Sequence, residues 1–235
     1  MDTQTRHALK GDSFAKATVT SMGWLSEHRS GVLRWILSAV VLLVVVIGGL
    51  VGWTMRAQAA AAALGAALDT YSTPLAELGA PAIPGTYATS ADRARAAHQQ
   101  FADVASKYGL TPEGKKAHYF VGVTAAELGQ NGTAESELKI ASGSWNHNIS
   151  NMAKVALANL YHDTGRDGQA EEIYSQVAAK PSETVSAYTA KLDLADLYSS
   201  EGKQDQARRL WAEIKDGDKD GIAGAIAGQK LTGNK

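Results

Sequence analysis

AHYFVGVTAAELGQNGTAESELKIA (117–141), AKVALANLYHDTGRDGQAEEIYSQV (153–177) and AKLDLADLYSSEGKQDQARRLWAEI (190–214) align without a gap, at offsets of 36 and 37 residues. Gly129, Gly165 and Gly202 coincide; so do Ala134, Ala170 and Ala207, and then Leu138, Tyr174 and Trp211. One helical turn before each glycine stand Ala125, Tyr161 and Tyr198. Apolar residues recur at three- and four-residue intervals on both sides of the glycine, the pattern of paired amphipathic helices. The glycine ends the first helix, where a positive φ costs it little. The polar residues after it make the turn. The small alanine lets the second helix approach the first, and the large residue four positions later packs between them.

Upstream, Ala97, Phe101 and Val104 match the second helix of a fourth, degenerate unit. Its first helix is expected within residues 57–78, with the Pro/Gly-rich stretch Gly79 to Ser90 as an extended turn. Thr111-Pro112 and Pro181-Ser182 read as helix starts, Pro112 being suited to a first-turn position. Asp220 to Leu231 reads as a short capping helix that covers the open end of the array.

These residues resemble the tetratricopeptide repeat (TPR). That pattern has a small residue at position 8, Tyr at 11, Gly at 15, Ala at 20, an aromatic at 24 and Ala at 27. Position 8 here is Gly122, Ala158 and Ala195, and position 27 is Ala141, Val177 and Ile214. The first repeat departs with Ala125 at position 11, and the spacing slightly exceeds the usual 34.

Farther upstream the composition changes. Trp35 to Trp53, WILSAVVLLVVVIGGLVGW, is 19 residues without a charge. As a helix it would be about 28 Å long, close to the ~30 Å hydrocarbon core of a bilayer. Trp35 and Trp53 bracket it, where indole rings suit the two interfaces. A core helix would not stay apolar on every face for so many turns. Lys16, Arg29 and Arg34 precede the run and only Arg56 follows it closely, so the N-terminus is expected on the cytoplasmic side. Ala57-Gln58-Ala59 has the look of a cleavage site, but the long leader and long apolar run favour an uncleaved signal anchor. Residues 1–31, with Phe14, Val19, Met22, Trp24 and Leu25 among polar residues, read either as an interfacial helix or as a tail.

The near-zero net charge of −1 divides there: residues 1–56 carry +3 and the remainder −4. A mildly acidic translocated portion does not suit a phosphate backbone, so no nucleic-acid partner is expected. The expected fold class is all-α, a single N-terminal transmembrane helix followed by a TPR α-solenoid. Its parts are a tail (1–31), an anchor (32–54), membrane-proximal helices with a degenerate repeat (55–110), three repeats (111–216), and a cap and tail (217–235). This layout resembles the YfgM-like family of bacterial inner-membrane proteins. The resemblance implies an ancillary subunit of the SecYEG translocon, in the inner membrane, with its repeat domain in the periplasm beside chaperones and exported proteins.

Catalytic constellations do not emerge. Zero cysteine excludes thiol nucleophiles, disulfides and Cys-ligated metals. His7, His28, His98, His118, His147 and His162 form no HxxxH or HExxH pattern, and no GxSxG, P-loop or dinucleotide fingerprint occurs. Asp216-Gly-Asp218-Lys-Asp220-Gly221 opens like a calcium loop, but Ala227 stands where the bidentate Glu belongs. The other reading is a polar turn with Asp220 capping the last helix. A non-enzymatic chain with no cofactor, no metal and no small-molecule substrate is expected.

The TPR resemblance implies that first helices line a concave face through positions 2, 5, 9 and 12. The candidate partner-binding residues are therefore Lys116 and Met152 at position 2, Tyr119, Val155 and Leu192 at position 5, Val123, Asn159 and Asp196 at position 9, and His162 at position 12. The position-5 row is apolar in all three repeats, which fits either an exposed strip for a protein partner or packing against neighbouring helices.

Overall fold

The computed structural model describes residues 29–76 and 84–233. The expected tail (1–31) lies almost wholly outside them, and Gly79 to Ile83 of the Pro/Gly-rich turn do too. The described residues are all-helical, with only an isolated bridge between Leu75 and Tyr87. Their helices are α1 (Arg29–Ser72), α2 (Ser90–Tyr108), α3 (Pro112–Glu127), α4 (Asn131–Ser142), α5 (His147–Asp163), α6 (Asp167–Ala179), α7 (Ala187–Ser200), α8 (Gln204–Gly217) and α9 (Ile222–Gly233). The chain divides into two units, residues 1–55 and 56–235, and α1 runs through the boundary.

In the first unit the described side chains of α1 are exposed throughout, Trp35 and Trp53 included. The helix is long and apolar enough to cross a membrane by length and composition.

In the second unit, each helix from α2 onward packs on the next in sequence. The later part of α1 buries Ala60, Leu64 and Ala67, a three-four spacing, against Phe101, Val104 and Tyr108 of α2. Phe101 stacks on Phe120 of α3 at 4.9 Å between ring centroids. α3/α4, α5/α6 and α7/α8 are the three aligned pairs. Their turns are the same object three times. Gly129, Gly165 and Gly202 have φ of 72°, 72° and 77°. The following residue's N–H reaches back five positions: Gln130 to the Ala125 carbonyl at 2.8 Å, Arg166 to Tyr161 at 2.7 Å, Lys203 to Tyr198 at 2.8 Å. That is the Schellman closure, and it leads directly into the second helix without a side-chain cap.

The first helices start differently. Thr111, Asn146 and Ser186 cap α3, α5 and α7 by accepting from backbone N–H groups of the first turn. Pro112 opens α3 as expected. Pro181-Ser182 does not open α7: that helix begins at Ala187, because Ser186 supplies the cap and Ser182 is held in a turn with Val185. Within each pair the small-and-large pattern does what its spacing implies. Ala134, Ala170 and Ala207 are buried with Leu138, Tyr174 and Trp211. At Gly122 the approach is so close that a Cβ would stand 2.6 Å from Leu138 Cγ.

Neighbouring pairs are joined by a recurring polar contact. Tyr161 donates to Glu135 at 3.2 Å and Arg166 to the same carboxylate at 2.8 Å. One repeat later Tyr198 donates to Glu171 at 2.7 Å, with Lys203 3.7 Å from it. Ala125 breaks the pattern at the first junction. There His98 meets the Thr124 hydroxyl at 2.9 Å and Tyr71 donates to Glu127 instead. At the far end α9 covers Trp211 and Ile214 with Ala223 and Ala227. Asp218, not Asp220, caps this helix by accepting from Gly224 N–H at 3.1 Å. Its carboxylate is thereby turned into the helix, and no group of three or more acidic or histidine residues placed to hold a metal occurs among the described residues.

Candidate functional site

The first helices α3 and α5 stand side by side, with the end of α1 on one flank and the α6–α7 turn on the other. Between them is a cleft of about 300 Å³ lined by Leu68, Tyr119, Phe120, Ile149 and Met152, with Lys116, Asn146, Asn148 and Thr184 at its polar rim. Three of the sequence-derived candidates, Lys116, Tyr119 and Met152, meet here. They do so because positions 2 and 5 are one helical turn apart, and the next repeat brings its own position 2 alongside.

The rim is built from the α5 cap. Asn146 holds the first turn of α5 through its side-chain oxygen. Asn148 accepts from Glu183 N–H and donates to its carboxylate, both at 3.2 Å, and its carbonyl accepts from Thr184 at 3.1 Å. This ties the α6–α7 turn down as a wall. Lys116 is exposed and forms no ion pair among the described residues. Burial holds the Tyr119 phenol above its ordinary pKa, so it presents a neutral hydroxyl. An apolar floor with one ammonium at the rim suits an apolar side chain that carries, or lies next to, a carboxylate.

The other candidates lie elsewhere. Val123 and Val155 are half-buried against the main core cluster. Leu192 packs on the cluster of Trp211 and Ile214. The position-5 row is thus neither a free strip nor fully internal: Tyr119 reaches the cleft, while Val155 and Leu192 serve packing. Asn159 accepts from the Tyr174 hydroxyl. His162 meets Asp167 at 2.6 Å, and Asp196 binds Lys230 of α9 with both oxygens at 2.9 Å. Around Tyr174 this end of the first-helix face is acidic. Burial, then Asp193, Asp163 and Asp196, raise that phenol. Burial and the neighbouring Asp196 push Asp193 up to about 6.

Sequence reasoning missed Leu68, Phe120, Ile149, Asn146, Asn148 and Thr184. Leu68 lies in the degenerate unit, where no repeat position was assigned. Asn146 carried a signal, since Asn before an apolar-periodic run is a cap.

A family model described as a tetratricopeptide repeat-like domain matches residues 33–216. Among solved structures, a Podosopora anserina protein described as a kinesin light chain of nearly identical TPR-like repeats superposes with a TM-score of 0.51. The identity is 16%, over 60% of this chain and 76% of that one, a likeness of fold. No curated protein sequence matches the chain.

Proposed function

The chain belongs to the tetratricopeptide repeat-like domain family, and we propose that it is a single-pass inner-membrane protein presenting a periplasmic repeat scaffold to protein partners. The observation that carries the reading is the cleft between α3 and α5, apolar within and cationic at the rim through Lys116. Repeat arrays of this kind generally act as interaction scaffolds rather than catalysts. The apolar run from Trp35 to Trp53 supports the anchor, and the excess of Lys and Arg before it supports a cytoplasmic N-terminus. The resemblance to the YfgM-like layout makes the Sec translocon and periplasmic chaperones the first partners to seek.

Affinity capture of the full chain from detergent-solubilised membranes tests this. Translocon or periplasmic chaperone subunits should be recovered from the native chain and reduced several-fold by the paired change Lys116→Glu and Met152→Asp. Recovery of neither group from the native chain overturns the translocon assignment. Components of another envelope-assembly or cytochrome-maturation complex in their place would favour a scaffold of that machine. A reporter fused after Lys235 should be active in the periplasm; cytoplasmic activity overturns the topology.

A further inference from the structure

The turns of the second unit alternate between two edges, because consecutive helices run antiparallel through short connections. One edge carries the turns within pairs. Their tips are Gln130, Arg166 and Lys203, each after its glycine, and all are polar. The other edge carries the turns between pairs; its α6–α7 turn is polar, but at each of its other three turns a large apolar side chain is exposed. Leu110 is 82% exposed, Trp145 79% and Ile222 82%. No other large hydrophobic side chain of this unit reaches half exposure among the described residues. Leu110 and Trp145 stand in the α2–α3 and α4–α5 turns, and Ile222 opens α9 directly after the α8–α9 turn. Adjacent turns of this edge lie against one another, since Trp145 and Asn148 share an open depression of about 600 Å³ with Lys180 and Glu183 of the next turn.

The same edge is where the chain enters the unit. Arg56, its first residue, donates to the carbonyl of Lys107 at the end of α2, three residues before Leu110. Arg56 follows the apolar run by only three residues, since that run ends at Trp53. Chain connectivity therefore tethers this edge, and not the polar one, within a few residues of any bilayer the run crosses. Scattered single apolar side chains on a surface carry no message, but these three share one edge, and it is the tethered one. Indole and aliphatic side chains at turn tips suit the headgroup boundary of a lipid bilayer, where an amphipathic ring is at home. The charges nearby are of mixed sign, Lys107 and Lys180 against Asp216 and Asp220, so attraction to anionic lipid is not what the edge is built for.

We propose that the edge formed by the turns between repeat pairs rests on the lipid surface, with Leu110, Trp145 and Ile222 inserted at the headgroup boundary. The first-helix cleft would then be presented to partners close to the membrane plane. This rests on the anchor reading above, and the experiment separates the two.

The chain has no cysteine, so single sites can be spin-labelled in the full protein without removing any native residue first. Labels at His147→Cys and Lys219→Cys, beside the intact apolar tips, read the proposed edge; Gln130→Cys and Asp205→Cys read the opposite edge; Val44→Cys reads the anchor. The protein is reconstituted in vesicles of phosphatidylethanolamine and phosphatidylglycerol. Each label's collision rate with oxygen is compared with that for a water-soluble nickel chelate. The expected result is a ratio several-fold higher at 147 and 219 than at 130 and 205, with 44 higher still. Combining Leu110→Ser, Trp145→Ser and Ile222→Ser should return 147 and 219 to the aqueous ratio, and circular dichroism should show unchanged helicity. Aqueous ratios at 147 and 219 while 44 is deep overturn the proposal alone. An aqueous ratio at 44 overturns the anchor reading and this proposal with it. Protection of 147 and 219 from both reagents signals a protein contact, a second copy included, and overturns the lipid assignment.

Discussion

Gly165 occupies the left-handed region because the α5 helix must stop within one residue of its last buried turn. A Cβ there would meet nothing, so the cost of Gly165→Ala is conformational alone: about 1–2 kcal/mol of stability, read from urea denaturation. Asp193 makes a separate point. Burial and the nearby Asp196 raise its folded pKa to about 6, above the ordinary 3.8. Between those values the folded chain takes up a proton that the unfolded chain does not, so this group contributes stability as pH falls from above 6 towards 4. At neutral pH its charge is a cost. Asp193→Asn should therefore raise stability at pH 7 by about 1–2 kcal/mol, discounted for the part of the side chain that solvent still reaches, and that advantage should vanish near pH 4. Thermal melts of both proteins across that range check it. Unchanged pH dependence would mean that Asp193 ionises freely.

At the scale of elements, helix pairs are specified locally, while their stacking rests on one apolar cluster that runs through all three pairs and is tied at the junctions by Glu135 and Glu171. Hydrogen bonds from Lys139 and Arg166 hold the Glu135 carboxyl down to about 2. The folded form is thus favoured while Glu135 is charged, and that contribution is lost as pH falls from the ordinary 4.5 towards 2. Glu135→Gln should cost about 1 kcal/mol at pH 7 and flatten this acid limb. Glu171→Gln should cost less, because Lys203 stands 3.7 Å away where Arg166 is 2.8 Å from Glu135. The helix pairs themselves were legible in the sequence, since Gly, Ala and a large residue recur at constant spacing. The start of α7 was not, because Pro181-Ser182 and Ser186 are competing signals. Only the hydrogen bonds of the turn show which one caps.

For the whole molecule, an array has two ends to cover, and α9 covers the C-terminal one. Ending the chain after Asp218 would uncover Trp211 and Ile214, which are fully buried, and remove the Lys230–Asp196 pair. A loss of about 3 kcal/mol and increased binding of a hydrophobic dye are expected, with urea denaturation as the measurement. The periodicity of small and large residues and the uninterrupted apolar run were enough to determine the all-helical class, the repeat and the long apolar helix. Those features depend on spacing along one chain, and helical periodicity expresses them directly. Tertiary structure decided which first-helix residues share a cleft. Tyr119, Val155 and Leu192 hold one repeat position, yet only Tyr119 opens into it, because Leu68 and the α6–α7 turn wall that place, while Val155 packs on the main core and Leu192 on Trp211 and Ile214. It also decided that Leu110, Trp145 and Ile222 share an edge. They hold no common repeat position, and only the antiparallel folding of successive helices brings their turns to one side.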